Sequence, residues 1–188
     1  MAHYSGYVTV PITSYEAFRN AVDGNSYDVD GVAGCQCVDL AKLLNYNLGF
    51  SSPYYDTGGT GAAYGGWTVL TARRFNLGGD DYTPIYSKAS IKKGDMIVID
   101  KFTGNDFGHV GFADEDYHGN TIRMCSQNNG GTPAPGGGTT VNIANYSLEH
   151  FLGAFRLTIW QPTPPQPSTS TKSKFPWVLY ARKLRNKY

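Results

Sequence analysis

The sequence predicts an α+β protein in which the helices come first along the chain and the strands follow. Up to about residue 80, apolar residues recur at helical spacing. Beyond Ile91 the pattern changes to short alternating or continuously apolar runs with Gly and Asn between them. Hydrophobic residues make up 40% of the 188 residues, which is enough for a core. This order favours N-terminal helices packed on one face of a twisted antiparallel sheet.

Three helices are predicted in the first half of the chain. The run Thr13–Glu16 fits a capping box, followed by a short helix that ends near Val22. A stronger helix is predicted from about Cys37 to Leu48, because its apolar residues share one face and Gly49 supplies a stop. The third is predicted over 67–75 and ends at Gly78-Gly79.

Five strands are predicted in the second half, at 96–100, 109–113, 121–125, 140–143 and 154–160. The glycine-rich, aromatic segment 54–67 carries no phosphate-loop signature. Its composition is equally typical of a segment that lines a substrate groove and of an ordered surface loop.

The chain divides into three parts by composition. Residues 1–161 have the character of one globular domain, residues 162–174 are a Pro/Ser/Thr-rich linker, and residues 175–188 are a basic aromatic tail. Six basic residues and no acidic ones lie in 172–188, so the rest of the chain is net acidic. An acidic body argues against nucleic-acid binding, whereas the tail suits contact with an anionic polymer.

Other sequence features exclude further classes. No stretch of about 18 apolar residues is present, so we expect no membrane span. The first six residues lack the basic and apolar regions of a secretory signal. The cysteines number three, and two of them are only two residues apart, which argues against a disulfide or a structural zinc site and favours a free thiol.

Cys37 stands where the second predicted helix begins. The partial positive charge and free N–H groups of a helix N-terminus stabilise a thiolate, lower the thiol pKa and can hold an oxyanion. A thiol nucleophile needs a base. His109 is the best candidate among four histidines, because Gly108 and Gly111 leave space around its ring.

A third polar residue should orient the imidazole. Ser126 and Asn128 are two residues apart at the end of the next strand, so they face the same side. Cys35 is a weaker alternative nucleophile because it precedes the helix, and Cys125 is expected to be packed within a strand. Since buried cysteines are more often small hydrophobic residues than nucleophiles, these residues alone leave both interpretations open.

Four motifs in order resemble a CHAP domain, the cysteine- and histidine-dependent amidohydrolase/peptidase of bacteriophage endolysins and bacterial wall hydrolases. They are Gln36–Leu40, Lys93–Met96, Gly108–Phe112 and Ser126–Asn128, and the resemblance covers roughly residues 14–160. It implies a papain-like α+β fold with Cys37 as the nucleophile and His109 as the base. Many members have Glu where this chain has Ser126, whereas Asn128 matches, so the resemblance leaves the third residue open.

The resemblance implies a phage lysin that cleaves an amide bond of the peptidoglycan stem peptide or cross-bridge, as an endopeptidase or an N-acetylmuramoyl-L-alanine amidase. We expect a monomer located in the host cytoplasm and then in the wall at lysis, or in the virion. The tail would contact anionic wall polymers. The alternatives are a non-catalytic wall-binding module of a phage tail and a transglutaminase-like cysteine transferase.

The run Asp28–Asp39 places acidic residues at positions 1, 3 and 12 of a twelve-residue loop. Calcium takes six to eight oxygen ligands, and alternating carboxylates with backbone carbonyls supply them. The carbonyls of Val32 and Gly34 fall at positions 5 and 7. Taken alone, the loop is more typical of a solvated acidic turn with Asp39 as a helix cap. The resemblance implies one calcium ion at Asp28, Asp30, Val32, Gly34 and Asp39.

Overall fold

A computed structural model of the protein describes residues 1–49, 55, 57–77 and 82–160, without the side chains of 72–77. Within these ranges the helices are α1 Tyr15–Val22, α2 Cys37–Asn47 and α3 Gly65–Leu77. The strands are β1 His3–Ser5, β2 Ser26–Asp28, β3 Tyr82–Ile85, β4 Met96–Ile99, β5 His109–Ala113, β6 Thr121–Ser126, β7 Asn142–Ser147 and β8 Phe151–Leu157.

Six strands form one antiparallel sheet in the order β3-β8-β4-β5-β6-β7, and β1 pairs with β2 in a separate parallel ribbon. Helix α2 packs on β5 and α3 packs on β8. This architecture confirms the predicted α+β class.

The sheet separates two apolar clusters. The larger one joins α1 and α2 to the sheet and contains Val110 and Phe112 of β5. The smaller one contains Ala113 and also takes in Ile122 and Met124 of β6. Because side chains alternate along a strand, β5 faces both clusters, and His109 begins it.

Several element ends differ from the sequence prediction by a few residues. The N-cap of α1 is Ser14 rather than Thr13, and its hydroxyl accepts a hydrogen bond from the Ala17 N–H at 3.0 Å. Helix α3 begins two residues earlier than predicted, and β7 begins two residues later and runs to Ser147. The last predicted strand ends at Leu157, because Thr158–Trp160 forms a 3₁₀ turn that brings the Trp160 indole N–H to the Ile12 carbonyl at 3.0 Å.

The predicted linker 162–174, the tail 175–188 and the glycine stop of the third helix lie outside the described residues. Among the helices that are described, none has both the length and the apolar character needed to cross a bilayer.

Candidate active site

A buried carboxylate fixes the start of helix α2. Asp39 is fully buried in the first turn, and its Oδ2 accepts a hydrogen bond from the Gln36 N–H at 2.8 Å. Its Oδ1 accepts from the Val29 N–H at 2.8 Å. Gln36 is the N-cap in extended backbone conformation, so Cys37 is the first residue of the helix. The position that the sequence predicted for Cys37 is therefore confirmed.

The Cys37 thiol lies against strand β5. Burial raises the pKa of Cys37 to about 11, whereas hydrogen bonds from the backbone of Val110 and Val38 act in the opposite direction. The lowered thiol pKa expected at a helix N-terminus is therefore not what the structure shows, because lost hydration outweighs the N–H donors. The contact with Val110 places the sulfur beside the residue that follows His109.

The His109 imidazole is almost fully buried, with 4% of the residue exposed. Its ring stacks on that of Tyr146, with a centroid separation of 4.6 Å and an interplanar angle of 7°. Burial lowers the pKa of His109 to about 4, so the ring is neutral at pH 7. Within the described residues Nε2 has no hydrogen-bond partner.

No Cys37–His109 hydrogen bond occurs among the contacts that the structure describes. Catalytic hydrogen bonds are often long before substrate binds and shorten in the substrate complex.

The run Ser126–Asn128 connects β6 to the elements around Cys37. The Ser126 hydroxyl donates to the Val110 carbonyl at 2.6 Å. The Asn128 amide, on a backbone with a φ of 56°, donates to Gln36 Oε1 at 2.7 Å. In the described structure neither side chain hydrogen-bonds to His109, so their contacts hold the surrounding backbone and Gln36.

Sequence reasoning missed the part played by Gln127. This buried amide accepts from the Tyr27 N–H at 2.8 Å and donates to the carbonyls of Tyr27 at 2.6 Å and Gln36 at 3.0 Å. It thereby joins β6 to β2 and to the N-cap of α2. The only sequence signal for it was its place in the motif between Ser126 and Asn128.

The acidic loop brings its three predicted carboxylates together. One oxygen from each of Asp28, Asp30 and Asp39 lies within 4.8 Å of the others. Asp28 Oδ1 is buried and unpartnered in the described structure, while Asp30 pairs with Lys42. Burial, with a smaller effect from the Asp30 charge, raises the pKa of Asp39 to about 7. These features suit a divalent cation, which would compensate the clustered negative charge.

The segment Ala134–Gly138, here called the glycine clasp, holds the other side of the loop. The Cys35 N–H donates to the Gly137 carbonyl at 2.9 Å, and Cys35 also forms a β-bridge with Gly138. A Cβ on Gly34 would overlap the Gly136 carbonyl. The clasp therefore fixes the backbone that leads into Gln36 and Cys37, including the carbonyl of Gly34.

The three cysteines differ in their surroundings. Cys35 and Cys125 are fully buried, and Cys35 Sγ lies 3.7 Å from His3 Nδ1. Cys37 is partly exposed and lines a groove of about 350 Å³. The groove also includes the acidic loop, Lys42, Phe107 and residues of the glycine-rich segment, namely Thr57, Gly61 and Ala63.

Part of the glycine-rich segment therefore belongs to the groove. The Ala63 N–H donates to the Phe107 carbonyl at 2.8 Å, which ties this segment to the loop before His109. The Phe107 side chain is 65% exposed at the groove edge. Residues 54 and 56 of the predicted segment lie outside the described residues.

No family model and no curated protein matches the sequence. Solved structures are similar to it. The wild-type endolysin LysIME-EF1 has a TM-score of 0.56 and 20% identity over 79% of this chain and 65% of that one. Ly7917 has a TM-score of 0.41 and 18% identity, with coverages of 65% and 53%. This chain thus spans less than two thirds of either protein. The first similarity shows a shared α+β fold, and the architecture fits the papain-like type.

Proposed function

We propose that the chain is a CHAP-type peptidoglycan hydrolase of the phage-lysin kind. One observation carries the proposal. Cys37, unlike Cys35 and Cys125, lines an open groove, and it does so at the start of a helix and beside the strand that begins with His109. The fold shared with an endolysin supports the same function.

The proposed reaction is hydrolysis of a peptidoglycan amide bond. Cys37 Sγ attacks the carbonyl carbon while His109 takes the thiol proton, and backbone N–H groups at the start of α2 hold the oxyanion. His109 returns the proton to the leaving nitrogen as the C–N bond breaks. A water molecule, deprotonated by His109, then cleaves the thioester and restores the thiol.

The decisive experiment is mass spectrometry of the fragments released from purified cell walls. Wild-type protein should produce new amino termini in either case, and free lactyl carboxyl groups should appear only if it is an amidase, which separates amidase from endopeptidase. Cys37→Ser should release none while keeping its melting temperature, because it changes one atom. Cys125→Ser is the matched control and should remain active. An active Cys37→Ser variant would refute the nucleophile assignment.

In the proposed site Ser126 and Asn128 act indirectly, by holding residues next to His109 and Cys37 in place. Ser126 fixes the backbone of β5 at Val110, and Asn128 fixes Gln36 next to the nucleophile. Both are expected to support activity.

We also propose one calcium ion at the acidic loop. The ligands would be the carboxylates of Asp28, Asp30 and Asp39 with the carbonyls of Val32 and Gly34, and the ion would fix the start of α2. The unpartnered Asp28 Oδ1 supports this site. Lys42 pairs with one oxygen of Asp30 and so competes with the ion for this carboxylate, which limits affinity.

Isothermal titration calorimetry tests the calcium proposal directly. Calcium should bind with a stoichiometry of one and raise the melting temperature, and magnesium should do so less because it demands a smaller octahedral site. Lys42→Met should bind calcium more tightly, whereas Asp28→Asn should abolish binding. If calorimetry detected no heat of binding at millimolar calcium, the proposed calcium site would be refuted.

A second candidate function is wall binding without catalysis. The observation that favours it is the missing hydrogen bond between Cys37 and His109 in the described structure. In that case wild-type protein would sediment with purified walls and release no fragments.

A further inference from the structure

The orientation of the His109 ring is not explained by hydrogen bonds. A base must present one nitrogen to its partner, and a polar side chain usually fixes the ring for this purpose. Ser126 donates to a backbone carbonyl and Asn128 donates to Gln36. Within the described residues the buried Nε2 of His109 has no hydrogen-bond partner. Some other contact must therefore hold the ring plane.

Tyr146 makes that contact. The two rings are nearly parallel, at 7°, with centroids 4.6 Å apart. Tyr146 is in turn held by β7, which pairs with β6 at Ile122, and its side chain packs on the smaller apolar cluster. The ring of Tyr146 is thus anchored independently of His109.

We propose that Tyr146 is the positioning residue for His109: the flat face of its ring sets the plane of the imidazole, the task that a polar third residue would otherwise perform. This inference rests on the proposed function. A stacked neighbour hinders rotation of the imidazole about χ2 and leaves both nitrogens free at the ring edge. The electron-rich face of the tyrosine also favours the imidazolium that forms when His109 takes the thiol proton.

The test compares three variants. Tyr146→Phe keeps the stack and should retain turnover within a few-fold of wild type. Tyr146→Leu keeps apolar cover but removes the stack, and kcat should fall by about 10- to 100-fold with little change in KM, because small misplacements of reacting groups are costly. The matched control is Tyr117→Leu, since Tyr117 is a partly buried tyrosine on the same apolar cluster that does not stack on His109.

Two further measurements separate positioning from a purely structural role. The melting temperatures of Tyr146→Leu and Tyr117→Leu should fall by similar amounts, while only the former loses kcat. In NMR spectra the ring protons of His109 should carry an upfield ring-current shift in wild type and Tyr146→Phe, and should lose it in Tyr146→Leu.

Three results would overturn the inference: normal kcat in Tyr146→Leu, equal loss of kcat in Tyr117→Leu, or the absence of a ring-current shift in wild type. Failure of the proposed function looks different, because wild-type protein would then release no fragments while the His109 shift persisted.

Discussion

The glycine clasp offers a sharp test, because two of its glycines share a backbone conformation but not their surroundings. Gly138 has a φ of 72°, and a Cβ there would overlap the Cys35 carbonyl. Gly136 has a φ of 79°, and a Cβ there would meet nothing within 4 Å. Substitution by alanine therefore adds the same backbone strain at both positions and a steric conflict at only one.

The expected magnitudes follow from this difference. Left-handed backbone costs a residue other than glycine about 1–2 kcal/mol. In Gly138→Ala the clasp must also move away from Cys35, which breaks the hydrogen bond to Gly137 and costs about 1 kcal/mol more. For a chain of this length each kcal/mol lowers the melting temperature by about 2–4 °C. We therefore expect falls of about 4–12 °C for Gly138→Ala and about 2–8 °C for Gly136→Ala, with Gly138→Ala the larger of the two.

The assay is thermal unfolding by circular dichroism together with turbidity loss of a cell-wall suspension. Gly138→Ala should also lose wall clearing at temperatures where it is fully folded, because the displaced backbone leads into Cys37. Gly136→Ala should keep it. Equal melting temperatures and equal clearing by the two variants would show that the glycine clasp does not position Cys37, the proposed nucleophile.

Three other predictions concern the base, its neighbours and the tail. His109→Ala should lower the rate of fragment release by about 10²–10⁴-fold, and Asn128→Ala should lower it less, with Ser126→Ala the mildest. Burial holds the pKa of His109 at about 4, below its ordinary 6.5, so between these two pH values the unfolded chain binds the proton more readily than the folded one. The contribution of His109 to the free energy of unfolding should therefore be complete above pH 6.5 and be lost as the pH falls from 6.5 to 4. In urea unfolding, the loss of stability over this range should be smaller for His109→Ala than for wild type. Truncation after Gln161 should weaken binding to cell walls at low salt and leave turnover on soluble muropeptides unchanged. If the truncated and full-length proteins bound walls equally well at low salt, the tail would have no targeting role.

The helices and the strands beyond Ile91 were predictable from the sequence, whereas strands β1, β2 and β3 were not. Helix α2 and strand β5 were placed to within one residue, since each combines a clear apolar pattern with a local stop signal. Strands β1 and β2 have three residues each, too few for a periodic pattern. Strand β3 contains Pro84 and takes its place at the sheet edge only through pairing with β8, far along the chain.

In the candidate site, too, some features were predictable from the sequence and others were not. The residue types of Cys37 and His109, and their positions at the start of a helix and of an apolar strand, were enough to predict a thiol and a base. Their pKa values could not be anticipated, because burial, the dominant influence on both, depends on packing by distant segments. The stack of Tyr146 on His109 likewise joins two strands that are not neighbours in the sheet.

The buried amide of Gln127 has a consequence for how the candidate active site forms. It joins residues about one hundred positions apart, and it hydrogen-bonds to the backbone of Tyr27 and of Gln36, the residue before Cys37. During synthesis, helix α2 leaves the ribosome well before Gln127 does. The N-terminus of α2 can therefore reach its final hydrogen-bonded structure only after β6 and Gln127 have been made. The candidate active site is therefore expected to form only after most of the domain has been translated. Because all three partners of Gln127 are backbone groups, chimeras that exchange the N-terminal helices should tolerate other side chains at residues 27 and 36, provided that residue 127 keeps its amide.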